Sequence, residues 1–553
     1  MEVSIINKSM DLADCRDDWF FDENHNCWCL EDVIYTPVPK VPLFQRLSIY
    51  APKAMMFAPG CLTDQARTAP VVFHNSAAAY VQMPNLWLDS PRCKGQQYLD
   101  RGFVYITCGC SGRDSRNEAG VPVGKAPSTL VDLKTAIRFL RHNRSVLPGD
   151  LEKIISVGVS AGGAMSCLLG VTGDNEKYIP YLRENGAFME ESDSVFAAQI
   201  YCPIVDLEHA DLAYEWMFHA DKVSEDSRTA PAETMSPFKD ALSALLLKQY
   251  IGYFNSLQLR NPQTGEILRL EGDGRNGSGY QYLMHCFEKS AAKHLTMMQE
   301  GKLPDACTVS QYLSGDYTYT ASLRRPLRNP DAHHIGPGMD AAAADKPKTM
   351  GEMSLRPPKD APAYVEVLPM AECQGTDKRH WLTWDGSKAS IRDLDTYVLN
   401  HRRRMKPCTS FDKLTNDSGE NQAFGTPTEE YVLFNAAIAQ AIASLKERFP
   451  EEYALYYEGY RKVAENQKLA AQVHLYNPMD FIGTDEKSIQ AMHYRIRVGG
   501  RDADTATTIS MSLALKLANY GCGTVDYAIV WDQPHCDADY PGEVCDWIES
   551  ICK

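Results

Sequence analysis

Three things are scarce in this sequence, and each scarcity excludes a class of protein. Long apolar runs are missing: none approaches the ~20 residues a bilayer-spanning helix needs, so no membrane partner is expected. Positive charge is in deficit. Lys and Arg total 56 against 72 Asp and Glu, a formal net charge of −16, which disfavours nucleic acid and a flat anionic lipid surface as partners. The one dense basic patch, His401-Arg402-Arg403-Arg404, reads as a solvated helix face. Zinc-type cysteine spacing is also missing, since Cys27-x-Cys29 and Cys108-x-Cys110 lack the two-pair pattern of a structural site. The opening residues, MEVSIINKSMDLADCRDDW, hold no basic stretch followed by an apolar block. A secretory signal is therefore not expected, the location expected is cytoplasmic, and the 17 cysteines read as mostly reduced thiols.

What is present is ordinary globular material. The 553 residues are 44% hydrophobic and 23% charged, enough for a sizeable core in more than one folded unit, or in one unit with a large insertion. After an aromatic, acidic, Cys-rich opening of about 45 residues, short apolar runs alternate with polar stretches. Ala69 to Phe73, Phe103 to Thr107, Ile154 to Gly158 and Phe196 to Cys202 read as strands. Between them, Leu130, Leu133, Ile137 and Leu140 recur at the spacing of an amphipathic helix, which Pro148-Gly149 ends. Ala161 to Leu169 reads as a helix packed closely on the strand before it. This alternation predicts a mostly parallel sheet with helices on both faces.

Beyond about Asp206 the pattern turns helical, as in Thr428 to Lys462, with one hairpin at Leu257 to Leu270 and a Gly-, Pro- and Ala-rich loop at Asn329 to Lys348. The α/β rhythm returns with strands at Tyr494 to Val498 and Val525 to Val530 and helices at Ile509 to Asn519 and Glu543 to Cys552. The expectation is an α/β core in two parts, residues 1–206 and 471–553, interrupted by a mainly helical inserted domain at 207–470. No internal repeat is visible.

Gly158-Val159-Ser160-Ala161-Gly162 is a G-x-S-x-G motif between an apolar strand and a small-residue helix. A nucleophile in such a turn needs small neighbours, because bulkier ones would collide. The turn aims a helix N-terminus at the reacting carbonyl, and the Ala161 N–H becomes an oxyanion donor. The bland alternative is a tight βα turn whose serine merely caps the helix. A serine hydroxyl needs a base, and in this fold the order is Ser, then Asp or Glu, then His, with the last two after late strands. Asp502 follows one late strand and His535 follows the next, 33 residues on. Asp504 is the rival acid, and Asp502 comes sooner after its strand. The second oxyanion donor is sought in the loop after VVFHNS, at Ala77 and Ala78, although alanine takes a positive φ only at a cost. The pair His333-His334 reads as a loop feature in preference to a metal site.

Several segments together are similar to the bacterial tannases. They are Gly124 to Gly170 around the serine, Ile200 to Trp216, Tyr476 to Ile482, Arg495 to Gly521 and Val525 to His535, with RRMKPCTSFD and GENQAFGT in the insertion. The resemblance implies an α/β-hydrolase with a large lid domain that cleaves galloyl esters. It implies Ser160, Asp502 and His535 as the triad, and Lys406, Glu420 and Asp504 as contacts to the galloyl hydroxyls. Three adjacent phenols suit that set: carboxylates accept from them, and a lysine donates to or polarises one. The implied partner is a small-molecule galloyl ester, with no metal or organic cofactor. Fungal relatives pair a cysteine before the serine with one after the histidine; here Val159 precedes Ser160, so Cys536 is expected to be an ordinary thiol. A feruloyl or aryl esterase, a serine peptidase and a catalytically silent binding protein on the same fold are the rival readings.

Overall fold

The structure is a computed structural model. It describes residues 10–553 apart from 91, 225–232, 304–306, 315–316, 321–349, 351–371, 376–379, 416–417, 427, 462–465, 485–486 and 522. At its centre is a nine-stranded sheet: β1 Phe20–Asp22, β2 Cys27–Ile34, β3 Arg46–Pro52, β4 Val71–Asn75, β5 Val104–Cys108, β6 Ile154–Val159, β7 Ala197–Tyr201, β8 His493–Gly499 and β9 Thr524–Val530. Their spatial order is β1-β2-β3-β5-β4-β6-β7-β8-β9. From β5 to β9 every pairing is parallel. The first three strands form an antiparallel meander that joins the rest through β3 and β5. Strands β4 to β7 are short apolar runs buried on both faces, as a parallel sheet covered by helices requires. This is the α/β-hydrolase fold, and the six parallel strands fall within two residues of the runs read from sequence.

The meander was not legible as strands. Its middle strand carries Glu31-Asp32, and the register shifts between Leu30 and Val33. Asp32 there takes a φ of 59°, a bulge that breaks the alternation a strand is recognised by.

Two helices pack against the sheet around the serine motif. In α1, Ser128–His142, nearly every residue is buried, the charged ones included. The amphipathic helix expected here is present, and its polar face is covered as well: Lys134 meets Asp193 at 2.6 Å and Arg138 Nε meets the same carboxylate at 2.7 Å. The helix also stops earlier than Pro148-Gly149, at Asn143, whose Nδ2 donates to the Phe139 carbonyl at 3.0 Å. In α2, Ala161–Val171, every residue is buried.

The sheet neighbours β7 and β8 are separated in the chain by the helical insertion. Its described helices include α3 Leu207–Phe218, α4 Pro237–Ser256, α5 Ser278–Gln299, α6 Ala436–Ser444, α7 Pro450–Arg461 and α8 Gln467–Leu475. Helices α9 Thr507–Tyr520 and α10 Glu543–Cys552 complete the core. The continuous helix expected over Thr428 to Lys462 is corrected to α6 and α7, because Pro450 cannot donate the N–H that would carry a helix through. The hairpin expected at Leu257 to Leu270 is present: Leu268 N–H donates to Leu259 at 2.7 Å and Asn261 N–H to Glu266 at 2.9 Å. Helix α8 runs through the boundary expected at residue 470. His333-His334 and the loop around them lie outside the described residues. Among the described residues no helix is long and apolar enough to cross a membrane, and the fifteen cysteines described are free thiols.

A tight steric requirement lies near the end of β6. A Cβ on Gly158 would stand 2.2 Å from the Gly162 carbonyl oxygen and 2.5 Å from Asn75 Nδ2. Gly158→Ala is expected to destabilise the fold by about 1–3 kcal/mol, as an overpacked core position does. A urea midpoint equal to that of the parent would refute this.

Candidate active site

Ser160 is the single residue between β6 and α2, with φ 62° and ψ −121°. A non-glycine residue in that region is strained and persists only where its surroundings over-determine it. Here they do. The Ser160 N–H donates to the Tyr201 carbonyl at 3.0 Å, and its carbonyl accepts from Ala164 at 3.0 Å and Ile204 at 3.3 Å. Asn75, at the end of β4, braces the turn: its Nδ2 donates to Val157 and Gly162 carbonyls at 3.1 Å each and to Ser166 Oγ at 2.9 Å. Ala161 is the first residue of α2, so its N–H has no acceptor within the helix.

The loop after β4 reaches the same turn. A Cβ on Gly162 would stand 2.7 Å from the Ala77 carbonyl oxygen, so Ala77 packs directly against the start of α2. The positive φ values fall one residue later than the candidate donors, at Ala79 (49°) and Tyr80 (58°), leaving Ala77 and Ala78 outside the strained region. Arg113 holds the strained pair, with Nε donating to Ala79 at 3.0 Å and N–H to Tyr80 at 2.7 Å. The Tyr80 hydroxyl donates to Ile204 at 2.6 Å.

Asp502 and His535 meet beyond the ends of β8 and β9. His535 Nδ1 lies 2.9 Å from Asp502 Oδ2 and 4.0 Å from Asp504 Oδ2, so Asp502 is the nearer of the two carboxylates. The two loops interlock through backbone. Gly500 N–H donates to Val530 at 2.8 Å and Arg501 N–H to Gln533 at 2.9 Å. A Cβ on Gly499 would stand 2.3 Å from each of the Gln533 and Pro534 carbonyl oxygens, so only glycine permits this approach. Cys202, whose neighbour Tyr201 accepts from Ser160, has its sulfur within 4.8 Å of ligand atoms of both Asp502 and His535. Burial pushes that thiol well above its ordinary value. The structure thus brings Ser160 and His535 to either side of Tyr201-Cys202. Among the described residues no hydrogen bond joins the Ser160 hydroxyl to His535.

The residues of the insertion lie around this edge. The Lys406 N–H donates to the Tyr214 hydroxyl at 3.0 Å, and that hydroxyl donates to the Ala503 carbonyl at 3.0 Å, between the two aspartates. Glu420 stands in a short helical turn capped by Ser418. Burial, and then the Glu420 charge, push the Tyr80 phenol well above its ordinary value.

The solvated helix face expected at His401 to Arg404 is corrected. His401, Arg402 and Arg404 are buried. Arg402 donates to Thr505 at 2.7 Å, Arg403 to Asp221 at 2.9 Å, and Arg404 pairs with Glu215 through both terminal nitrogens. His401 Nε2 lies 2.9 Å from Asp532, three residues before His535. His294 lies 3.6 Å from the same carboxylate, and Tyr312 donates to it at 2.5 Å. Burial works to raise Asp532, but the His401 contact and the flanking cations hold it well below the usual carboxylate range. Asn75, Tyr214, Glu215 and Asp532 escaped the sequence reading. Each lies in a run the sequence singles out, but nothing in the runs marks the individual residue.

Two further buried acids shape the loops that carry Lys406 and Glu420. Asp211 accepts the N–H groups of Ser410, Phe411 and Asp412 at 2.6, 3.0 and 2.9 Å. Asp412 accepts from Phe434 at 2.9 Å, from Asn435 at 2.6 Å and from Asn421. Burial pushes Asp211 up to about 6. Burial, opposed by Asn421 and aided by the Asp211 charge, pushes Asp412 up to about 8.

The family model BD-FAE matches residues 95–227. No curated protein matches. Solved structures do. A tannin acyl hydrolase from Lactobacillus plantarum is 27% identical with a TM-score of 0.70, over 95% of this chain and 94% of that one. A Fusobacterium nucleatum tannase is 26% identical with a TM-score of 0.69, over 95% of each chain. The chain has the α/β-hydrolase fold and is similar to solved tannases over nearly its whole length. Its class is that of the carboxylic ester hydrolases, and the likeness to tannases runs through the insertion as well as the core.

Two measurements probe the polar framework. The Asp412 carboxyl binds its proton more tightly folded than unfolded, so the folded state holds the extra proton between the ordinary carboxylate range and about pH 8. Its contribution is full at low pH and is lost as pH rises through about 8. The melting temperature is expected to fall over that window, and Asp412→Asn to flatten the fall; an unchanged slope would refute it. Arg404→Met strands the buried Glu215 carboxylate and should cost about 3–5 kcal/mol. The double variant with Glu215→Leu should recover most of that loss in chemical denaturation, and no recovery would count against the pairing.

Proposed function

We propose that this chain is a serine esterase that hydrolyses galloyl esters through an acyl-enzyme. One observation carries the reading: a strained serine turn and a 2.9 Å Asp502–His535 contact stand at the same edge of one parallel sheet. Ser160 is the nucleophile, His535 its base, and Asp502 the acid that orients the imidazole through Nδ1. Catalytic hydrogen bonds are often long in a free enzyme and tighten on substrate, so the serine–histidine bond forms in the complex.

Ser160 Oγ bonds to the ester carbonyl carbon while His535 Nε2 takes its proton. The N–H groups of Ala161 and of the Ala77-Ala78 loop receive the oxyanion. The tetrahedral intermediate collapses with cleavage of the bond to the alcohol oxygen, which leaves with the proton from His535. Water then gives a proton to His535 and adds to the acyl carbon, and the second collapse frees gallic acid and restores Ser160. Asp504 and Glu420 accept hydrogen bonds from the ring hydroxyls, and Lys406 donates to or polarises one of them. Residues 207–470 act as the lid that carries Lys406 and Glu420 to the core. The related tannin acyl hydrolases solved with 3,4-dihydroxybenzoate and with ethyl gallate support this acyl class.

The test is gallate release from methyl gallate. Ser160→Ala should lower kcat by about 10³-fold or more. Methyl ferulate should turn over at least about 100-fold less efficiently, because it leaves buried polar groups unpaired. A fluorophosphonate should label Ser160. Wild-type protein that is labelled but releases no gallate sinks the galloyl assignment, and protein that resists labelling sinks the serine mechanism.

A further inference from the structure

One buried phenol ties together the two parts of the chain that carry the ring-binding candidates. Tyr214, in α3, is fully buried. Its hydroxyl donates to the Ala503 carbonyl at 3.0 Å and accepts from the N–H groups of Met405 at 3.2 Å and Lys406 at 3.0 Å. A phenol has one proton and two lone pairs, so all its hydrogen-bonding capacity is spent on this bridge. Burial pushes the phenol well above its ordinary value, which keeps the donated proton in place.

The rest of the Lys406 environment converges on the same bridge. The Lys406 carbonyl accepts from Arg404 Nε at 2.9 Å. Arg404 is in turn held by Glu215, the residue after Tyr214. The Lys406 ammonium lies 4.3 Å from the centre of the Phe411 ring. That ring meets Tyr214 edge to face with centroids 6.2 Å apart. Lys406 is therefore held at its N–H by Tyr214, at its carbonyl through Arg404, and at its charge by Phe411.

We infer that Tyr214 and Phe411 are positioning residues for recognition of the acyl ring, setting the spacing between the Lys406 ammonium on the insertion and the Asp504 carboxylate on the core. Neither touches the reacting atoms. The inference rests on the galloyl reading above and adds the element that makes the ring pocket a single unit. Vicinal hydroxyls sit at fixed separations, so a donor and an acceptor on different chain segments read them only if the segments are locked together. Tyr214 supplies the lock.

The experiment compares methyl gallate with p-nitrophenyl acetate, whose acyl group has no ring. Tyr214→Phe keeps the ring and removes only the bridging oxygen. It should raise KM for methyl gallate about tenfold with a smaller change in kcat, a clearly larger loss than the one it causes on p-nitrophenyl acetate. In a Lys406→Ala background the same substitution should have little further effect on methyl gallate, since both act through one group. Phe411→Leu should give the same substrate-selective pattern, and it carries the test if Tyr214→Phe does not fold. Equal losses on both substrates, or full additivity with Lys406→Ala, would overturn the inference while leaving the esterase reading intact. Wild-type protein that cleaves p-nitrophenyl acetate but not methyl gallate would overturn the galloyl reading and this inference together.

Discussion

A parallel sheet has one edge at which all its strands end, and everything functional in this chain depends on that geometry. Strands β6, β7, β8 and β9 lie side by side and run the same way. The residues that follow them, Ser160, Cys202, Asp502 and His535, are therefore delivered to one rim although hundreds of residues of chain intervene. Proximity is then refined by backbone. The turn at Ser160 is held by the Tyr201 carbonyl at the end of the next strand, and the loops after β8 and β9 lock where Gly499 lets two carbonyl oxygens approach to contact distance.

Legibility followed physical range. The core strands were readable because a parallel strand buried on both faces is a continuous apolar run. The serine turn was readable because its steric demands fall on immediate neighbours. The order Ser160, Asp502, His535 was readable because it reflects topology. The meander at the N-terminus was hidden by a bulge at Asp32, and the division of the helix near residue 450 was underweighted although a proline marks it. The basic patch of the insertion was misjudged for one reason. His401-Arg402-Arg403-Arg404 has the composition of a surface, but each side chain finds a carboxylate, hydroxyl or carbonyl far away in the chain, and no local pattern announces a partner like Glu215 or Asp221.

This reliance on buried polar contacts gives the insertion a distinct character. A hydrophobic interface tolerates sliding, since apolar contacts are non-directional. Paired charges and saturated phenols do not, because a lost partner leaves a desolvated group behind. Around Lys406 and Glu420 the chain follows an irregular path, and carboxylates fix it: Asp211 accepts three consecutive N–H groups and Asp412 gathers two more with the Asn421 amide. Irregular backbone of this kind has no ladder of its own, and side-chain acceptors take the place of a neighbouring strand.

The carboxylate of Asp532 carries the same logic into the core. It sits three residues from His535, with His401, His294 and Tyr312 of the insertion gathered around it. The part of the core that carries His535 is thus not free-standing with respect to the insertion. Excising the insertion would strip this carboxylate of His401, His294 and Tyr312, so the loop that carries His535 draws part of its polar packing from the insertion.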